Sequence, residues 1–209
     1  MIWSALPSII GGLELTLKLF GLVLLISLPL GLAVAVLKIY GPKILKGLIT
    51  LYIYVMRGTP LLLQLMFVFF GLPYIGLTLD RFPAAVLAFI LNYAAYFAEI
   101  FRGGMVGVPT GQFEALKVLG VSHFKGYRRV IFPQVLKTTL PSIGNEVLAL
   151  VKDTSLVYIL GLGEVLRAGQ IAANRYASLI PFIFVGILYL MVTGVISYLL
   201  NKVERRYQI

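Results

Sequence analysis

The sequence predicts an all-α integral membrane protein with five transmembrane helices, and three observations lead there. Of 209 residues, 60% are hydrophobic and 12% are charged, against roughly 45–50% and about 25% in soluble domains. The mean hydropathy is +0.97. Five apolar stretches are near or beyond the ~20 residues with which a helix crosses the hydrocarbon core. A soluble domain of this size cannot hide so much apolar surface. A soluble enzyme and a nucleic-acid-binding domain are therefore excluded first.

The first span is read at 13–37, where residues 19–37 carry no charge. Residues 1–7 lack the basic n-region of a cleaved signal peptide, so this run is expected to stay in the mature protein. The second span, 47–72, is interrupted by Arg57-Gly58-Thr59-Pro60. Pro60 has no N–H and disfavours helix in the residue before it. The third covers 82–105. The fourth, 135–160, contains Lys152-Asp153, so the second and fourth are candidates for broken or re-entrant helices. The last, 176–201, has 26 residues without a charge. No repeat and no Pro/Ser-rich linker divides the chain, so residues 1–209 are read as one membrane domain.

The net charge of +10 fits a membrane protein whose basic residues collect on the cytoplasmic side. Lys38, Lys43 and Lys46 follow the first span. Arg102, Lys117, Lys125, Arg128, Arg129 and Lys137 flank the loop 106–133, and Lys202, Arg205 and Arg206 end the chain. These twelve face Arg81, Arg167 and Arg175 on the other side. The N-terminus is therefore expected outside, and the loop and C-terminus in the cytoplasm.

The catalytic inventory is poor. With no cysteine and one histidine, His123, the chain has no thiol chemistry and no histidine-rich metal site. A Ser-His-Asp arrangement is equally unsupported. A Gly-x-x-x-x-Gly-Lys-[Ser/Thr] phosphate cradle is absent, so the chain is expected to bind no ATP itself. His123 reads as a solvated loop side chain.

Polar residues inside spans are costly, and they mark cavities or interhelical contacts. Asn92, Tyr93, Tyr96 and Glu99 share one side of the third span at helical spacing. They line a passage, or they hydrogen-bond to neighbouring helices, and for Glu99 the competing account is neutralisation by Arg102, three residues on. Asp153, with Thr154 and Ser155 beside it, marks a second candidate, because breaks of this kind expose groups that transporters use to hold charged substrates. Its alternative is an ion pair with Lys152 or Arg57. Arg57 itself attracts a substrate carboxylate or pairs with an acid, and Gln64 offers an amide to the cavity or to another helix. Glu14 and Lys18, four residues apart, are expected to neutralise each other. Glu164 and Arg167 read as part of an outer loop, either touching a soluble substrate-binding protein or simply hydrated.

In the cytoplasmic loop, Phe113, Leu116 and Gly120 recur at the spacing of a short helix, which Gly120 can end in a left-handed cap. The basic run Lys125-Gly126-Tyr127-Arg128-Arg129 follows. Such an amphipathic helix docks in a partner's groove or lies on anionic lipid. Glu114-Ala115, Gly120 and Val130-Ile131-Phe132-Pro133 resemble the EAA loop of ABC-importer permeases, E-A-A-x3-G-x9-I-x-L-P. Leu116, Val130 and Phe132 are apolar departures from it. The resemblance continues in RGTPLLLQ (57–64), AYFAEIFRGG (95–104) and KDTSL (152–156), which are similar to permeases of the polar-amino-acid branch.

That resemblance implies the MetI-like type I architecture, with Glu114, Ala115, Leu116, Gly120, Phe124 and Pro133 coupling to a separate ABC ATPase dimer that binds ATP and Mg. It implies a second permease, identical or homologous, an extracytoplasmic substrate-binding protein and a bacterial inner membrane. Asn92, Tyr93, Tyr96, Glu99, Asp153, Ser155 and Gln64 are the expected contacts to a polar amino acid, cationic by the acids in the set. An ion-coupled secondary transporter or a channel is the competing class, although it has no need of an ATPase-docking helix.

Overall fold

The structure, a computed structural model, describes residues 6–207. The readings of residues 1–5 and of the His123 side chain fall outside the described residues. Helix α1 (Leu6–Tyr40) is followed by α2 (Lys43–Gly58) and α3 (Leu61–Met66), which continues through a π turn and a 3-10 turn to Ile75. Next come α4 (Arg81–Val106), α5 (Thr110–Val118) and α6 (His123–Gly126). Helix α7 (Phe132–Asp153) runs on as 3-10 helix to Leu160, and α8 (Val165–Tyr176) and α9 (Ile180–Tyr207) complete the chain.

Helices α1, α4 and α9 are each long and apolar enough to cross a membrane. Two bent pairs raise the number to five if each is one span: α2 with α3, bent by 107°, and the α7 segment with α8, bent by 54°. Pro29 and Pro141 lie inside α1 and α7 without breaking them, which membrane helices tolerate because neighbouring groups re-satisfy the freed carbonyls.

Helix α4 forms the centre and packs on α1, α2, α3 and α7, while α8 bridges α1 and α9. The α1–α4 crossing is tight because Gly31 has no side chain. A Cβ there would lie 3.0 Å from the Ala94 carbonyl oxygen and 3.1 Å from the Ala98 nitrogen. Alanines dominate the buried face of α4 for the same reason. Without a hydrophobic drive between helices in lipid, close backbone approach supplies much of the attraction.

Three sequence expectations change. Lys152-Asp153 does not deflect the fourth span; the direction changes later, between Leu160 and Val165. The last span begins at Ile180, since Tyr176 closes α8 and Ala177 adopts a left-handed φ of 46°. The segment read as a hydrated outer loop is α8, and Glu164 is fully buried as its N-cap. Glu164 accepts from the Leu166 and Arg167 backbone N–H groups at 2.6 Å and from the Tyr189 hydroxyl at 3.1 Å. These bonds satisfy donors that a helix N-terminus otherwise leaves open.

Candidate functional site

The α2–α3 break is built by local chemistry. Thr59 is extended (φ −122°, ψ 150°) before Pro60, as the proline ring requires. The break frees carbonyls, and Gln64 collects them: its amide N–H group donates to Met56 O at 2.9 Å, Thr59 O at 3.2 Å and Thr59 Oγ1 at 2.8 Å. Asn92 on α4 donates to Met56 O and to Gln64 Oε1, both at 3.0 Å. The broken element is thereby fastened to the centre of the molecule.

Beside the break lies a cavity of about 510 Å3, whose polar lining is Thr59, Asn92, Tyr93, Tyr96, Glu146 and Asp153. Asp153 stands at the end of α7, where the helix tightens into 3-10 geometry. The Tyr93 hydroxyl donates to Asp153 Oδ2 at 2.7 Å. Tyr93 is held by Phe89, stacked at 6.3 Å, and by Tyr96 and Phe97. None of the ion pairs of the described residues involves Asp153 or Glu146, so the pairing of Asp153 with Lys152 or Arg57 does not occur.

Tyr96 also borders a second cavity of about 430 Å3, which holds Lys38, Arg57 and Glu99. Arg57 lies 5.2 Å above the Tyr96 ring. Glu99 is compensated from several sides: Lys38 Nζ is 2.6 Å away, Arg102 Nη2 2.9 Å, and Arg57 Nη1 4.0 Å. The Arg102 contact is a fork, with Nε also donating to both carboxylate oxygens at 3.1 and 3.0 Å. Glu99 thus ties α1, α2 and α4 together.

Of the seven expected substrate contacts, Asn92, Tyr93, Tyr96 and Asp153 share the acidic cavity. Gln64, Glu99 and Ser155 do not line this cavity; Glu99 lines the neighbouring one. Gln64 is spent on the helix break, Glu99 on ion pairs, and Ser155 sits half-buried on the 3-10 segment. Glu146 joins this lining without being among the expected contacts, and an acid within an apolar run is the same sequence signal that marks Asp153. Lys18 sits over the Phe82 ring at 5.4 Å, and among the described residues no ion pair joins it to Glu14.

On the loop between α4 and α7, α5 is anchored by a reciprocal amide pair between Gln112 and Gln134, at 2.9 and 2.6 Å. It ends at Gly120 with φ 65°, where Gly120 N bonds to Lys117 O and Val121 N to Leu116 O. Glu114 and Ala115 are exposed, and so are Val118 (86%) and Leu119 (75%). Leu116 turns inward against Gly126. Pro133 is exposed in the first turn of α7. Phe124, on α6, lines a groove between α1 and the loop.

Apolar helices around polar, charged cavities, with a short helix displayed on one loop, define a multi-pass membrane permease. The family described as "Binding-protein-dependent transport system inner membrane component" matches residues 27–209, and the chain belongs to that family. It is similar to the glutamine transport system permease protein GlnP of Escherichia coli (strain K12), with 38% identity over all of this chain and 96% of that protein. It is similar also to the arginine transport system permease protein ArtQ of Bacillus subtilis (strain 168), with 39% identity over 96% of this chain and 93% of that one. A crystal structure of an amino acid ABC transporter with histidines matches at TM-score 0.88 and 38% identity, covering 96% and 94% of the two chains. The MetNI methionine ABC transporter, at 20% identity, matches in fold with TM-score 0.72 over 99% and 97% of the chains. The chain is thus an inner-membrane permease subunit of an ABC importer with the MetI-like fold. It is not an enzyme, and ATP hydrolysis belongs to a separate subunit. The ion-coupled alternative is set aside.

Proposed function

We propose that this permease carries polar, cationic amino acids (arginine, lysine or histidine) as part of an ATP-driven importer. The observation behind this reading is the cavity lined by both Asp153 and Glu146, neither of which forms a salt bridge among the described residues, Arg57 acting on Glu146 only from a distance. Unpaired carboxylates inside a membrane protein are costly, and a cationic substrate relieves that cost. A guanidinium offers a planar fork that a carboxylate binds bidentately. Arg57, across the Tyr96 ring, supplies the opposite charge for a substrate α-carboxylate. The relatives' names span glutamine, arginine, L-cystine and nopaline, and the acidic cavity favours the cationic members of that range.

In this reading residues 1–209 form one domain of five spans with the N-terminus outside. Two permeases, identical or homologous, enclose the pathway. The exposed face of α5, with Glu114, Ala115 and Gly120, docks on the ATPase dimer, which holds ATP and Mg2+. An extracytoplasmic binding protein delivers the substrate. The test is competitive uptake in vesicles containing the permease with its ATPase. Asp153→Asn keeps the shape and removes the charge, so arginine uptake should weaken by about 1.5–3 kcal/mol while glutamine uptake changes little. Equal losses for both would make Asp153 a structural group, and no loss would remove it from the site.

A further inference from the structure

The groove that holds Phe124 has a character unlike that of the transport cavities. Its volume is about 550 Å3, and its walls are Val36 and Tyr40 from the end of α1, Phe113 from α5, and Phe124, Tyr127 and Phe132. Arg128 is the one charged residue in the lining. The Tyr40 and Tyr127 hydroxyls bond at 2.7 Å, and their rings meet edge to face at 6.0 Å. Burial and this bond raise the Tyr127 phenol above its ordinary pKa. Phe124 is nonetheless 75% exposed.

Position and charge point the same way. The groove lies between the last residues of one apolar helix and the first residues of another, hence at the level of a membrane surface. Aromatic residues gather at that level. By the distribution of basic residues it is the cytoplasmic surface. Lys125, Arg128 and Arg129 are exposed beside it, and among the described residues none of them has an ion-pair partner. An apolar, aromatic trough edged by three free cations matches an amphiphile with a negative head. We propose that this groove binds an anionic phospholipid of the cytoplasmic leaflet, with an acyl chain along Tyr40, Phe124 and Phe132 and the phosphate against Arg128 and its neighbours. A lipid held there touches both α1 and the loop that carries α5, and so braces the coupling helix from its membrane side. This site is independent of which solute the permease carries.

The full chain, purified with its ATPase subunit and titrated with phosphatidylglycerol or phosphatidylcholine, tests the assignment by native mass spectrometry. The wild type should retain phosphatidylglycerol in preference to phosphatidylcholine. Replacing Lys125, Arg128 and Arg129 by Gln should reduce retention by about fivefold per charge, with the ATPase still bound. Phe124→Gln, which puts an amide in the trough, should reduce it as well. Equal retention of the two lipids overturns the proposal, and so does unchanged retention in either variant. Loss of the ATPase from the triple variant would assign the cations to protein docking and overturn it too.

Discussion

Single side chains in this permease divide into those that hold helices together and those left facing a cavity. Glu99 belongs to the first group. Replacing it by Gln leaves Lys38 and Arg102 without their shared carboxylate, and hydrogen bonds to charged groups contribute about 1.5–3 kcal/mol each. Glu99→Gln should therefore lower the thermal unfolding temperature of the detergent-solubilised protein whether or not substrate is present. Tyr93→Phe removes a single hydroxyl from the Asp153 carboxylate, at a cost of about 1.5–3 kcal/mol. Its effect should fall on apparent substrate affinity, measured by uptake at varied concentration, more than on unfolding temperature. The stripe of Asn92, Tyr93 and Tyr96 was legible from helical spacing alone. Arg102, three residues along the same helix, was legible as a partner of Glu99, whereas Met56 and Lys38, which also claim Gln64 and Glu99, lie on other elements.

Among the elements, α5 makes the sharpest prediction. Its end depends on Gly120 at φ 65°, and an added Cβ would touch nothing within 4 Å. The cost of substitution is therefore conformational, about 1–2 kcal/mol for a left-handed non-glycine residue. Gly120→Val should reduce co-purification of the ATPase or uncouple ATP hydrolysis from uptake, with the bundle still folded by circular dichroism. Gly120→Asn, which tolerates that conformation, should behave more nearly as wild type. Close packing makes the opposite case at Gly31, where a Cβ would meet Phe97 and the α4 backbone. Gly31→Val should cost about 1–3 kcal/mol through overpacking, read as loss of folded protein on mild heating. Helix α8 escaped the hydropathy reading because its buried face is made of Val165, Gly169, Ala172 and Ala173. Small residues at helical spacing carry little apolar signal, though they pack well.

For the whole molecule, the basic residues predict that Ser8 and Ser122 lie on opposite sides of the membrane. Both are exposed and the chain has no cysteine, so single-cysteine labelling at each is direct. Labelling of both from one side would refute the orientation. Helix α9 covers little of its apolar surface within the chain, so lipid or a second permease must cover it. Cross-linking between cysteines placed on α9 would distinguish the two. Membrane residence, the helical class, the break at Pro60 and the cap at Gly120 were determined by the sequence itself, because hydropathy, backbone freedom and proline chemistry act locally. The tertiary structure alone decided that Asp153 and Glu146 share a cavity, that Lys38 joins Arg102 on Glu99, and that Glu164 is buried. Each of those outcomes depends on which charge or donor another helix brings within reach, and separation along the chain does not encode it.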